Sequence, residues 1–275
     1  MTWNRRKYGK DSVGPEALSI SRRHHRYCYD NFSKDVIASL AGVGYGDPSG
    51  TVQTKNLLHT GFHSFPYQQL TASGDATIVA PVLTTDGRLN IGSDQTLGHG
   101  VEIVFGDVAG SRCPRIYTPS TENFFARLKI TPSDASGVDI YFGLRVVQAF
   151  QAAIATYTDL VALRILGDST SAAAAMSAVT NLNDATDVTS TTLATTLADA
   201  TAMELGFRVK NRVVDFFVDR VRQVSVPTFT FDSGDVVTPF LWFTNATDLD
   251  AEISPDVFEC GLLADIDKTF NVALS

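Results

Sequence analysis

The stretch AMELGFRVKNRVVDFFVD, residues 202–219, decides the fold class. Met203, Leu205, Phe207 and Val209 alternate with Glu204, Gly206, Arg208 and Lys210. Beyond Asn211, Val214, Phe216 and Val218 alternate with Asp215, Phe217 and Asp219. A period of two on both arms means two strands with one buried face and one wet face, paired as a hairpin. Asn211 supplies a residue that tolerates the left-handed backbone of a tight turn. Phe217, on the wet face, breaks the pattern.

Outward from this hairpin, short apolar runs recur between Gly, Pro, Asp and Asn. Strands are predicted at 76–83, 101–105, 124–131, 138–147, 159–166, 202–210, 213–219, 228–232, 239–245 and 257–264. So many short strands, with turns between them, predict an all-β protein: a two-sheet antiparallel jelly-roll sandwich. A chain of 275 residues that is 44% hydrophobic is long enough to bury such a core as one domain, placed at 51–275. Within it, 167–202 stands apart: Ala, Thr and Ser make up 23 of its 36 residues, and it holds no base. It reads as a surface insertion that pads the fold, with 171–179 a short helix and 189–197 a Thr-rich strand; the alternative is a self-association element.

The leading segment, 1–50, is of another kind. Residues 1–32 carry no helical or strand period and include Gly9, Gly14 and Pro15, which predicts an extended arm that orders against a partner. Ser33 and Gly42 are placed to cap a short helix over 34–41, and the glycine-rich stretch 42–50 reads as a flexible joint. Charge divides the chain in the same place. Residues 1–35 hold eight Lys/Arg against four carboxylates, whereas the whole chain has a net charge of −8. A basic arm on an acidic body suits docking onto a large partner, and the overall acidity excludes wholesale nucleic-acid binding. Trp3, Tyr8, Tyr27, Tyr29 and Phe32 have no local core to enter. Interleaved with arginines, they read as partner contacts.

The motifs of catalysis are missing or misplaced. His59 and His63 have i, i+4 spacing, but Gly61 lies between them and no third ligand is marked, so no metal site is assigned; His24 to Cys28 reads as polar docking. Asp215 and Asp219 share a strand face about 13 Å apart, too far for the roughly 5 to 9.5 Å of paired carboxylates in glycoside hydrolysis; they read as solvating charges. GVGYGDPSG lacks the ending of a phosphate-binding loop, DSGD at 232–235 and the acidic stretch 184–187 are too short for an EF-hand, and no G-x-S-x-G elbow occurs. The expectation is a protein without catalytic residues, cofactor or metal, hence not an enzyme. Cys28, Cys113 and Cys260 are far apart without metal-type spacing and read as reduced hydrophobes. No apolar run approaches the roughly 18 residues of a membrane span.

Six segments carry a family resemblance: FFARLKI (124–130), VDIYFGLRV (138–146), DLVALRIL (159–166), LGFRVKNRVVDFFVD (205–219), TPFLWFTN (238–245) and DVFECGLL (256–263). The series resembles the concanavalin A-like, laminin-G-like jelly roll, and in particular its versions in structural proteins of tailed-phage virions. In that family the hairpin reads Asn-Gly and then Tyr-Val-Asp-Gly; here Arg212 and Arg220 stand in place of both glycines.

The resemblance implies a capsid decoration or cement protein, made in the host cytoplasm and located on the capsid surface of the virion. Its partners would be the major capsid protein and itself, as a homo-oligomer with a trimer as the natural guess, with no membrane and no nucleic acid. The expected arm contacts are Trp3, Arg5, Arg6, Tyr8, Arg22, Arg23, Arg26 and Tyr27. The alternative is a carbohydrate-binding, lectin-like module of a virion fibre or adhesin, for which Phe217, Trp242 and Asn245 are the candidate glycan contacts. A third reading, a glycoside hydrolase or lyase, requires two carboxylates converging on one sheet face.

Overall fold

The computed structural model describes residues 28–30, 57–59, 64–70, 82–83, 89–90, 97–106, 116–167, 173–183, 188–246 and 252–263. Its strands, in chain order, are β1 Cys28–Asp30, β2 Leu57–His59, β3 Ser64–Leu70, β4 Val82–Leu83, β5 Leu89–Asn90, β6 Gly100–Val104, β7 Phe124–Pro132, β8 Val138–Val146, β9 Leu160–Leu166, β10 Ala173–Asn181, β11 Thr189–Ala198, β12 Met203–Lys210, β13 Val213–Val218, β14 Val221–Arg222, β15 Phe229–Thr230, β16 Val237–Asn245 and β17 Glu252–Leu262.

They form two sheets. The first runs β14-β13-β12-β7-β17-β5-β4, with β1 also pairing β17 and β15 pairing β13; the second runs β11-β10-β9-β8-β16-β6-β3-β2. Every pairing is antiparallel. The protein is the all-β, two-sheet jelly-roll sandwich that the alternating pattern predicts.

The diagnostic hairpin is β12–β13, with Phe207 opposite Phe216 and Val209 opposite Val214. Asn211 and Arg212 both take positive φ, 49° and 72°, the geometry of a type I′ turn whose twist matches its strands. Asp219 and Arg220 repeat it at 48° and 68°. The arginines therefore occupy the left-handed backbone that glycine would take without strain.

Between the sheets lies one apolar layer. Phe105 and Phe142 from the second sheet meet Phe258 from the first, Phe105 and Phe258 stacking at 3.9 Å between ring centroids. Phe142 also packs on Phe207 at 5.7 Å. Each such contact adds about 0.5–1.5 kcal/mol to what the buried area itself supplies.

Three expectations change. The stretch expected to hold a short helix at 171–179 is strand β10 from Ala173 onward, and 167–202 is not padding: Ala174, Met176 and Ala178 of β10 and Leu193 and Leu197 of β11 lie in the main core. Helix propensity of alanine loses here to pairing on both sides, because β10 lies between β9 and β11 and buries Ala174, Met176 and Ala178 in the core. The arm is not separate from the body throughout 1–32: β1 pairs with β17, and Cys28 and Asp30 are buried. β2 and β3 add strands where none was read. The expected helix at 34–41 and the joint at 42–50 lie outside the described residues.

The outer face of the first sheet is an ion-pair lattice. Arg127 bridges Glu204 and Glu259, Asp215 is held between Arg208 and Arg222, and Lys129 meets Asp256. Burial works to lower the Arg127 pKa, and its two glutamates more than offset this. Phe217 is 2% exposed, with the Arg208 guanidinium 5.4 Å from its ring centre. The apolar residue on the wet face is thus roofed by a cation.

Candidate functional site

The outer face of the second sheet is built differently. Strand register sets Gln68, Glu102, Trp242, Tyr141, Arg164 and Ser177 side by side across β3, β6, β16, β8, β9 and β10. Their strand neighbours, including Ile103, Leu241, Phe142 and Leu163, point into the core, so pleating turns this row outward. A second apolar cluster gathers on the same face: Leu70, Val104, Tyr141, Leu160, Phe240 and Trp242 pack with Phe150 and Tyr157 of the segment 147–159, which lies across part of the sheet.

Glu102 is the node that fastens that segment. Its Oε1 accepts from Arg145 Nε at 2.8 Å, and its Oε2 accepts from Gln68 Nε2 at 2.7 Å and from the Tyr157 hydroxyl at 2.5 Å. Arg145 Nη1 donates to the carbonyls of Val146 and Gln148, each at 3.1 Å, and Gln68 Nε2 donates to that of Gln151 at 2.6 Å. The guanidinium lies 4.4 Å from the Tyr157 ring centre. Glu102 and Arg145 are both 0% exposed. Burial first, and then the neighbouring Glu102 charge, raise the Tyr157 phenol well above its ordinary range. A carboxylate engaged by three donors is occupied as an acceptor; its role is to pin 147–159 to the sheet.

Beside this closed half, the face is more open. Asp139 Oδ2 accepts from Arg164 Nη2 at 2.8 Å, its Oδ1 from the Gly167 amide at 3.1 Å, and Arg164 sits 5.1 Å over the Tyr141 ring. Arg164 and Asp139 are about a quarter exposed. Burial pushes the Tyr141 phenol up to about 12, Arg164 opposes the rise and Asp139 adds to it. Glu102 and Asp139, carboxylates on this face among the described residues, are each paired with an arginine.

The residues singled out from sequence fall as follows. Trp3, Arg5, Arg6, Tyr8, Arg22, Arg23, Arg26 and Tyr27 lie outside the described residues. Phe217, Trp242 and Asn245, the glycan candidates, are 2%, 6% and 6% exposed, and the structure does not bring them together: Phe217 belongs to the first sheet, Trp242 and Asn245 to the second. Buried residues present little surface to a ligand, which corrects their candidacy.

Asp215 is an ion-pair bridge rather than a solvating charge, and Asp219 accepts the Glu204 amide at 2.9 Å. In the 232–235 turn, Asp235 Oδ2 accepts the Asp232 amide at 2.7 Å. Burial, then the Asp159 and Asp232 charges, raise the Asp235 carboxyl pKa. Among the described residues, no group of three or more His, Cys, Asp or Glu side chains is arranged to hold a metal. Among them, too, no helix is long and apolar enough to cross a membrane.

The Glu102–Arg145 node was missed. Its signal was one carboxylate in GVEIV and one base in VDIYFGLRV, opposite charges in strands otherwise nearly free of them.

No family model matches the chain, and no curated protein matches it. Solved structures with a similar arrangement of strands include the carbohydrate recognition domain of Emp47p, 12% identical over 71% of this chain and 88% of that one, with a TM-score of 0.48. Others are the CBM2 module of the evolved Dit of Lactobacillus casei BL23 phage J-1 (14%, 72% and 91%, 0.43) and the endo-β-1,3-glucanase of Pyrococcus furiosus (10%, 64% and 76%, 0.45).

Proposed function

We propose that this protein is a non-catalytic structural component of a tailed-phage virion. In this role it decorates the head shell, and its basic leading segment docks on neighbouring major capsid subunits. The observation that supports the reading is the root of that segment. β1 is built into the first sheet against β17, with Cys28 and Asp30 buried, and the basic residues 1–27 directly precede it in the sequence. A tether transmits load only if its root is held. Several such arms on one symmetric oligomer, a trimer in the simplest case, turn weak contacts into a durable clamp. Among the described residues, Glu102 and Asp139 of the second sheet are each paired with an arginine, which suits a scaffold.

The test is co-sedimentation with native particles. The full chain is expected to pellet with capsids and the chain lacking residues 1–27 to remain in solution while keeping its circular dichroism. Equal binding by the truncated chain refutes the docking role.

One feature favours a second reading as a glycan-binding module: the partly exposed Arg164–Asp139 pair on the outer face of the second sheet. A small number of placed polar groups is what fixes the orientation of a bound ligand. Binding on a glycan array that Arg164→Ala abolishes would establish it over the first.

A further inference from the structure

Two of the three cysteines, far apart in sequence, stand opposite one another in the fold. Cys28 of β1 and Cys260 of β17 are direct antiparallel partners. Both are buried, at 2% and 0% exposure, both belong to the main core, and neither is joined in a disulfide. Residues directly opposed on antiparallel strands project to the same side with Cα atoms about 4.5 or 5.5 Å apart. Both spacings fall within the roughly 4.4–6.8 Å between Cα atoms that a disulfide spans.

We infer that Cys28 and Cys260 form a redox-responsive pair, whose oxidation to a disulfide bolts the root of the leading segment covalently to the sandwich. The oxidant is a small disulfide such as oxidised glutathione. Local opening of the three-residue strand β1 exposes the Cys28 thiol. Its thiolate attacks one glutathione sulfur, forming a mixed disulfide and releasing one glutathione thiolate. When β1 closes again, the Cys260 thiolate attacks the Cys28 sulfur and displaces the second glutathione. Two protein thiols lose two electrons, one glutathione disulfide gains them, and the two thiol protons pass to the departing thiolates. A reducing cytoplasm keeps the pair open and an oxidising exterior closes it. The inference stands on strand register alone and holds whether or not the protein decorates a capsid.

The experiment uses the full chain, incubated with oxidised glutathione, cleared of excess reagent and denatured. Titratable thiols are expected to fall from three to one, with a loss of about 2 Da in intact mass. A non-reducing tryptic map should join peptide 27–34 to peptide 223–268. The thermal midpoint should rise, and dithiothreitol should reverse the change. Cys113→Ser should give the same cross-link, and Cys28→Ala should abolish it. A cross-link from Cys113 to either cysteine would overturn the assignment. So would stable glutathione adducts on Cys28 and Cys260 without a bond between them.

Discussion

Replacing Glu102 with Gln tests whether the outer face of the second sheet is closed by a buried ion pair. The change keeps the shape of the side chain and removes its charge, leaving Arg145 at 0% exposure without its counter-ion, which stood 2.8 Å away. Removing one member of a fully buried pair typically destabilises by about 3–5 kcal/mol, because the remaining charge stays desolvated. With a urea slope near or above the upper end of about 1–3 kcal/mol per molar, the unfolding midpoint should fall by roughly 1–2 M. An internal control is available on the other sheet. Asp256→Asn breaks the Lys129–Asp256 contact at 3.5 Å, whose side chains are 45% and 37% exposed, and should cost less than about 1 kcal/mol. Urea titrations of both variants, followed by Trp fluorescence and by circular dichroism, give the comparison; coincident transitions justify two-state free energies. If Glu102→Gln costs no more than Asp256→Asn, Arg145 does not depend on Glu102 and the pinning of 147–159 is wrongly explained.

Truncation locates the boundary between arm and body: removal of residues 1–27 should leave the thermal midpoint unchanged, whereas removal of 1–32, which takes β1 away, should cost about 2 kcal/mol or more through lost burial and ladder hydrogen bonds. Scanning calorimetry of the two chains reads the difference, and equal midpoints would disprove the docked strand. At alkaline pH, Tyr141, held up to about 12, should remain a neutral phenol while exposed tyrosines ionise near 10. Its folded pKa is raised, so its contribution to stability is complete below about pH 10 and is lost as pH climbs through 12; a spectrophotometric titration at high pH should show a late step that Tyr141→Phe diminishes. Arg212→Gly should stabilise by about 0.5–1 kcal/mol, since glycine adopts a φ of 72° without the strain a side chain brings. A destabilised variant in urea would mean that the Arg212 contact to the Phe231 carbonyl outweighs the turn strain.

What could be read from sequence was whatever obeyed a local period. β12 and β13 announce themselves because apolar and polar residues alternate on both arms, and β7, β8, β9 and β16 because they are apolar runs bounded by turn residues. β3 was hidden by Pro66 in its interior, a residue that argues against a strand when read alone. β10 was hidden by four successive alanines in the stretch 172–175, which favour a helix until a sheet edge offers them a partner. The face with Glu102 and Arg145 depends on register between strands 43 positions apart in the chain, and no local pattern encodes that. β1 is harder still: three residues, CYD, have no period to detect, and they become a strand only because β17 presents an edge to them.

That placement gives the molecule a direction of mechanical strength. Tension applied along β1 from its Cys28 end shears the ladder to β17, so its hydrogen bonds resist together and must fail nearly at once. Tension across the strand peels them one after another at far lower force. A load on the leading segment is therefore borne best along the β1 axis, and oxidation of the opposed thiols would extend that resistance to every direction of pull.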